Sequence, residues 1–117
     1  MLNPYEALAN GIITQAVNDY RQAVKFLKKH PRTDKLEADV ASQLAEKKKR
    51  REERAKLKLP KEREKQSQEE RLLDNIRNNE LMASETEKFF QSEWFSKLTE
   101  IDGHWLLERI KKEREVD

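Results

Sequence analysis

The chain has 117 residues, of which 35% are apolar and 41% charged, and no cysteine. A charged fraction well above the roughly 25% of ordinary globular proteins limits the chain to a small core, and without cysteine it holds no disulfide and no thiolate metal site. The net charge of +2 conceals an uneven distribution: residues 1–45 sum to +1, residues 46–65 to +6 and residues 66–117 to −5, a charge dipole in sequence that can steer partners of either sign.

Two glycines, three prolines and many unbranched Glu, Lys, Arg, Gln and Leu side chains favour helix throughout. The expected fold is all-α: a small helical domain formed by the N-terminal helix and the C-terminal helices, with a long charged helical arm or helical hairpin between them. The corresponding segments are residues 1–45, 46–71 and 72–117. The first thirty residues lack the apolar run of a signal peptide, and no stretch approaches the ~20 apolar residues of a membrane span. Both features suit a cytoplasmic protein without membrane contact.

In the first segment Asn3 can cap a helix with Pro4 at its first position and Glu6 near the positive end of the dipole. Tyr5, Leu8, Ile12, Ala16, Tyr20, Ala23 and Leu27 form an apolar stripe that Ile13, Val17 and Val24 widen. Lys28, Lys29 and His30 suit the C-terminal end, which Pro31 closes. Gly11 inside this helix points to close packing against another element. Thr33 or Asp34 can cap a second helix, Asp34 and Glu37 having capping-box spacing, and its stripe of Leu36, Val40 and Leu44 is placed to lie against the first helix.

The apolar signal then stops. Residues 46–71 hold only Ala55, Leu57 and Leu59 as apolar side chains, too few for a core element. Pairs of opposite charge three and four apart can hold this arm as a solvated helix, and Pro60 should kink or break it. A hairpin with its tip near Leu59, Pro60 and Lys61 and a long bent helix both satisfy the pattern.

Periodicity returns at Leu72, Leu73, Ile76, Leu81 and Met82. Ser84 and Glu87 form a capping box that should open a new helix leading into FFQSEWF (89–95), which holds four of the chain's eight aromatic residues. Phe89, Phe90, Trp94, Phe95, Leu98, Ile101, Trp105, Leu106 and Ile110 then mark the main hydrophobic face. Ser92 can cap a fresh turn and Asp102 a last helix through Lys111. Most of these rings are expected to cover the stripe of the first helix. Adjacent pairs at 89/90, 94/95 and 105/106 cannot all point one way, so an exposed anchor patch or self-association is the alternative.

The segments ANGIITQAVNDYRQAVKFLKKHP (9–31) and EKFFQSEWFSKLTEIDGHWLL (87–107) together resemble a family of small helical accessory proteins encoded by phages and integrative elements of Gram-positive bacteria. The resemblance covers about half the chain, at its two ends, and the charged segment between the blocks departs from the family's pattern. It implies that the two blocks fold together and that the protein acts inside a bacterial host cell. Proteins of this size and setting include inhibitors of host defence, among them anti-CRISPR proteins.

The residues offer no constellation for catalysis: there is no Cys and no glycine-framed Ser, and His30 and His104 read as helix-terminal residues. No phosphate loop, EF-hand loop or zinc spacing occurs, so no cofactor or metal is expected. The candidate contact residues are Lys47, Lys48, Lys49, Arg50, Arg51, Arg54, Lys56, Lys58, Lys61, Arg63 and Lys65. They can follow a phosphate backbone with little sequence specificity, or form a solvated surface balanced by Glu52, Glu53, Glu62 and Glu64.

The expected partner is a host protein or ribonucleoprotein complex, most concretely a Cas9-type nuclease or its guide RNA complex, which a non-enzymatic inhibitor would block. Direct DNA or RNA binding by an accessory factor, and assembly into a homo-oligomer, are the alternatives.

Overall fold

A computed structural model describes residues 3–115. Regular structure among them is entirely α-helical: α1 (Pro4–Lys29), α2 (Asp34–Lys56), α3 (Gln68–Phe90), α4 (Glu93–Leu98) and α5 (Gly103–Glu115). No helix among the described residues is long and apolar enough to cross a membrane. The chain divides into two compact units, one taking in α1 and the chain from Asn78 onward, the other running from His30 to Arg77. The second unit therefore begins and ends outside the charged segment expected at 46–71. It claims the whole of α2, including Leu36 and Val40, and the first ten residues of α3.

In the first unit, local chemistry sets the helix ends. The Asn3 side-chain oxygen accepts from the Glu6 amide at 2.8 Å, and α1 stops at Lys29, two residues before Pro31. Tyr20, Phe90, Phe95, Leu107 and Ile110 form the buried core, with Ile13, Ala16, Val17, Val24, Ala83, Phe89 and Leu106 packed around it. Side chains from both blocks, 9–31 and 87–107, thus share one core. Tyr5 and Leu8, expected in the buried stripe, are each 65% exposed. Ala9, the next residue, is only 3% exposed, so this end of α1 is covered in part, with Leu8 bordering an open concavity beside Met82, Phe89 and Trp94.

The capping box expected at Ser84 does not form, because α3 runs unbroken through it. Inside a helix the amides of residues 84–87 already have carbonyl partners, so no orphan donor is left to cap. The Thr86 hydroxyl instead donates back to the Met82 and Ala83 carbonyls at 2.8 and 3.1 Å. Glu87 accepts a 2.8 Å hydrogen bond from the buried Tyr20 hydroxyl. Ser92 both ends α3 and starts α4, donating to the Phe89 carbonyl at 2.7 Å and accepting from the Phe95 amide at 3.2 Å. Asp102 caps α5 by accepting from the His104 and Trp105 amides at 2.9 and 3.3 Å, and that helix extends four residues past Lys111.

The aromatic segment divides. Phe90 and Phe95 are almost fully buried and Phe89 half-buried. Phe89 meets Trp94 and Phe95 edge to face at centroid distances of 5.3 and 5.5 Å, and Phe90 meets Phe95 at 5.7 Å. Trp94 and Trp105 are each 55% exposed and Ile101 is 49% exposed, so these three do not belong to the buried face assigned to them. Leu107, outside the expected face, is buried instead.

Gly103 explains the rotation of α5. A Cβ built there would lie 1.7 Å from the Phe90 carbonyl oxygen and 2.9 Å from the Phe95 ring, so the helix start abuts the end of α3. That contact turns residues 103, 107 and 110 inward and Trp105 outward, where its ring carries the Arg109 guanidinium at 5.6 Å. Gly11 behaves oppositely: a Cβ there meets nothing within 4 Å, which overturns the expectation of close packing at that position.

The two glycines should respond with opposite signs. Gly103→Ala is expected to lower stability by about 3 kcal/mol or more through overpacking against backbone, while Gly11→Ala raises it by about 0.5–1 kcal/mol through helix propensity. Urea unfolding midpoints measure both. A second expectation concerns Tyr20, whose phenol is pushed well above its ordinary value by burial, then by its hydrogen bond to Glu87 and the charges of Glu87 and Glu108. The folded state favours the neutral phenol, so its contribution is complete below pH ~10 and is lost as the pH rises beyond that toward the folded-state value. Tyr20→Phe should therefore cost about 1.5 kcal/mol at neutral pH, with the variant and parent curves converging in alkali.

Candidate functional site

Of the eleven basic residues of interest, seven lie on α2 and four, Lys58, Lys61, Arg63 and Lys65, on the segment between α2 and α3. Thr33 caps α2, its hydroxyl accepting from the Leu36 amide at 3.1 Å. The helix ends at Lys56, which stands four residues before Pro60, where the proline ring would strike the helical carbonyl. Termination follows a Schellman pattern: the Lys58 amide donates to the Ala55 carbonyl at 3.1 Å and the Leu59 amide to the Arg54 carbonyl at 3.0 Å. Lys58 itself takes the left-handed position with φ 53°, a place usually given to glycine. The element is a hairpin, which decides against a long bent helix.

Residues 57–67 return along α2 without regular structure and lead into α3. A ladder of contacts fixes the register: Arg54 with Pro60, Arg51 with Glu64, Lys47 with Lys65 and Glu70, and Gln43 with Ser67 and Glu69. Ser67 begins α3, its hydroxyl accepting from the Glu70 amide at 3.1 Å while donating to the Gln43 side chain. The spacing of Ser67 and Glu70 is that of a capping box, but the Glu70 carboxylate is diverted to Lys47.

That diversion is the strongest electrostatic feature of the unit. The Lys47 Nζ lies 2.7 Å from Glu70 Oε1 and 2.9 Å from Oε2, and the two side chains are only 13% and 7% exposed. Oε1 has no other donor, so the ammonium is its sole compensation. Lys47 also donates to the Lys65 carbonyl at 2.9 Å. Leu36, Val40, Leu73 and Ile76 are the buried apolar side chains of this unit. With so few, the ion pair is a structural member and not a free contact residue.

The remaining candidates fall into two groups. Arg51 and Arg54 are engaged but accessible: Arg51 Nε donates to Glu64 Oε1 at 2.6 Å, and Arg54 holds the Pro60 carbonyl at 2.9 Å with Glu62 3.9 Å away. The hydrogen bond from Arg51 holds the Glu64 carboxyl below the usual carboxylate range. Glu69 is likewise lowered, by its own backbone amide and by Gln43. Lys48, Lys49, Arg50, Lys56, Lys58, Lys61, Arg63 and Lys65 are exposed, with no side-chain ion pair among the described residues.

Arg50, Lys61, Arg63 and Lys65 join Lys47, Arg51 and Arg54 around a groove of about 930 Å³, whose other walls are Ala55, Leu59, Pro60, Glu62 and Glu64. Lys48, Lys49, Lys56 and Lys58 lie outside it. The hairpin thus gathers seven of the eleven candidates around one concavity and leaves the other four apart from it. Sequence reasoning missed Glu70 as the partner of Lys47 and treated Glu62 and Glu64 only as balancing charge. The Ser67–Glu70 spacing directly after the turn was the available signal.

Compared with known protein families, curated proteins and solved structures, the chain matches none.

Removing one member of the buried pair should expose its cost. Lys47→Met is expected to destabilise the protein by about 3–5 kcal/mol by stranding the Glu70 carboxylate, and adding Glu70→Leu should restore most of that loss. Urea denaturation of the parent, the single and the double variant makes the comparison.

Proposed function

We propose that this protein acts by binding, not catalysis, as a phage or mobile-element inhibitor of a host nucleic-acid-processing defence machine, most concretely a guide-loaded nuclease of the Cas9 type. Its basic hairpin engages the nucleic-acid backbone of that complex, and the bound protein keeps target DNA out. The observation that carries this reading is the groove, lined by seven Lys and Arg side chains, six of them outside the buried Lys47–Glu70 pair, and by only two carboxylates. Such a surface complements a phosphate backbone held in an A-form or extended path, which is how guided nucleases present their guide. The mobile-element setting rests on the resemblance of residues 9–31 and 87–107 to phage and integrative-element accessory proteins.

A second reading, a DNA- or RNA-binding accessory factor, is favoured by the same groove if bare nucleic acid suffices as ligand. Its phosphate contacts would give salt-sensitive and largely sequence-independent affinity.

Cleavage of a DNA target by a reconstituted guide-loaded Cas9-type nuclease tests the first reading. Inhibition is expected from the intact protein, with a loss of roughly tenfold in potency when Arg50, Lys61, Arg63 and Lys65 are all replaced by Ala, as expected for several lost phosphate contacts. Full cleavage at saturating protein overturns it. Tight binding to bare oligonucleotide together with full cleavage would establish the accessory-factor reading instead.

A further inference from the structure

The groove is already occupied in part by the protein's own anions. Glu64 meets Arg51 in the side-on, two-contact mode that guanidinium groups also offer to phosphate, and Glu62 approaches Arg54 from the same returning segment. We propose that the segment 58–67 is a self-competing strap. In this view Glu62 and Glu64 stand in for two phosphates, and a single-stranded nucleic-acid backbone enters by displacing them from Arg54 and Arg51. The proposal rests on the reading that this groove takes nucleic acid, and it adds how that affinity is set.

Three observations carry it. The carboxylates belong to residues two apart on a chain segment without regular structure, so both can leave their arginines without unfolding a helix. Each pair is open to solvent on one partner, Arg51 at 63% beside Glu64 at 29% and Glu62 at 63% beside Arg54 at 35%, and ion pairs open to water contribute little enough to be exchanged for a multivalent anion. The Lys47–Glu70 pair beneath them is buried and has no such freedom, so the hairpin keeps its register while the strap exchanges. Arg50, Lys61, Arg63 and Lys65 line the groove without an ion-pair partner among the described residues and can attract a polyanion before exchange occurs. No aromatic side chain lines the groove, so base stacking adds nothing and binding should be indifferent to sequence.

The test is fluorescence anisotropy of the full chain with a labelled single-stranded homopolymer of about twenty nucleotides, long enough to exceed the site, across a salt series. The variant pair E62Q/E64Q is compared with E52Q/E53Q, which removes the same charge from α2 outside the groove. The strap predicts roughly tenfold tighter binding for E62Q/E64Q, because the same phosphate contacts form without displacing a carboxylate, and a markedly smaller gain for E52Q/E53Q. Equal tightening by both pairs, or no tightening by E62Q/E64Q, overturns the strap and leaves the nucleic-acid reading standing. No binding by the parent or either variant overturns both.

Discussion

Apolar surface is the scarce resource of this chain, and its distribution constrains everything else. Only 35% of the residues are apolar, and several of the largest, Leu8, Trp94 and Trp105 among them, remain exposed. What is left is concentrated. In one unit the phenylalanines at 89, 90 and 95 pack edge to face beside Tyr20, Leu107 and Ile110, and the Gly103 contact brings α5 close enough to close that core. Burial of large rings is the efficient use of few residues, because each aromatic side chain removes about 150–250 Å² from water.

The other unit has less to bury and solves the problem differently. Four apolar side chains are supplemented by the Lys47–Glu70 ion pair, a capped α3 start and a run of side-chain contacts between antiparallel segments. A buried pair of this kind adds little net stability against an apolar substitute, but its geometry permits one register only, since a shifted hairpin would strand both charges. Charge in this unit therefore has two roles. One cation is spent on register, and the others remain at or near the surface, where seven basic side chains in all border a single groove.

This division bears on function. A run of Lys and Arg in a solvated helix spreads its charge around the helix circumference. The return of residues 57–67 along α2 instead sets Lys61, Arg63 and Lys65 opposite Arg50, Arg51 and Arg54 and makes a concave electrostatic surface. The same return brings Glu62 and Glu64 with it, so the surface is moderated by anions from its own wall.

Much of the local structure was legible from residue types alone. Asn3, Thr33, Ser92 and Asp102 cap the helices as their short polar side chains suggest, and Pro31 and Pro60 mark ends because a proline ring disfavours helical geometry in the residues before it. The all-α class was also readable, since propensity and capping act over a few residues, and the apolar stripe of the first helix called for a cover as large as the aromatic segment. Tertiary structure alone decided the rest. Ser84 has capping chemistry but no free amide to cap, Trp105 has core chemistry but faces away because Gly103 fixes the rotation of α5, and Lys47 looks like its neighbours but alone meets a buried carboxylate. Each of those outcomes depends on a partner distant along the chain or on the phase of a whole helix, and a local pattern of residue types specifies neither.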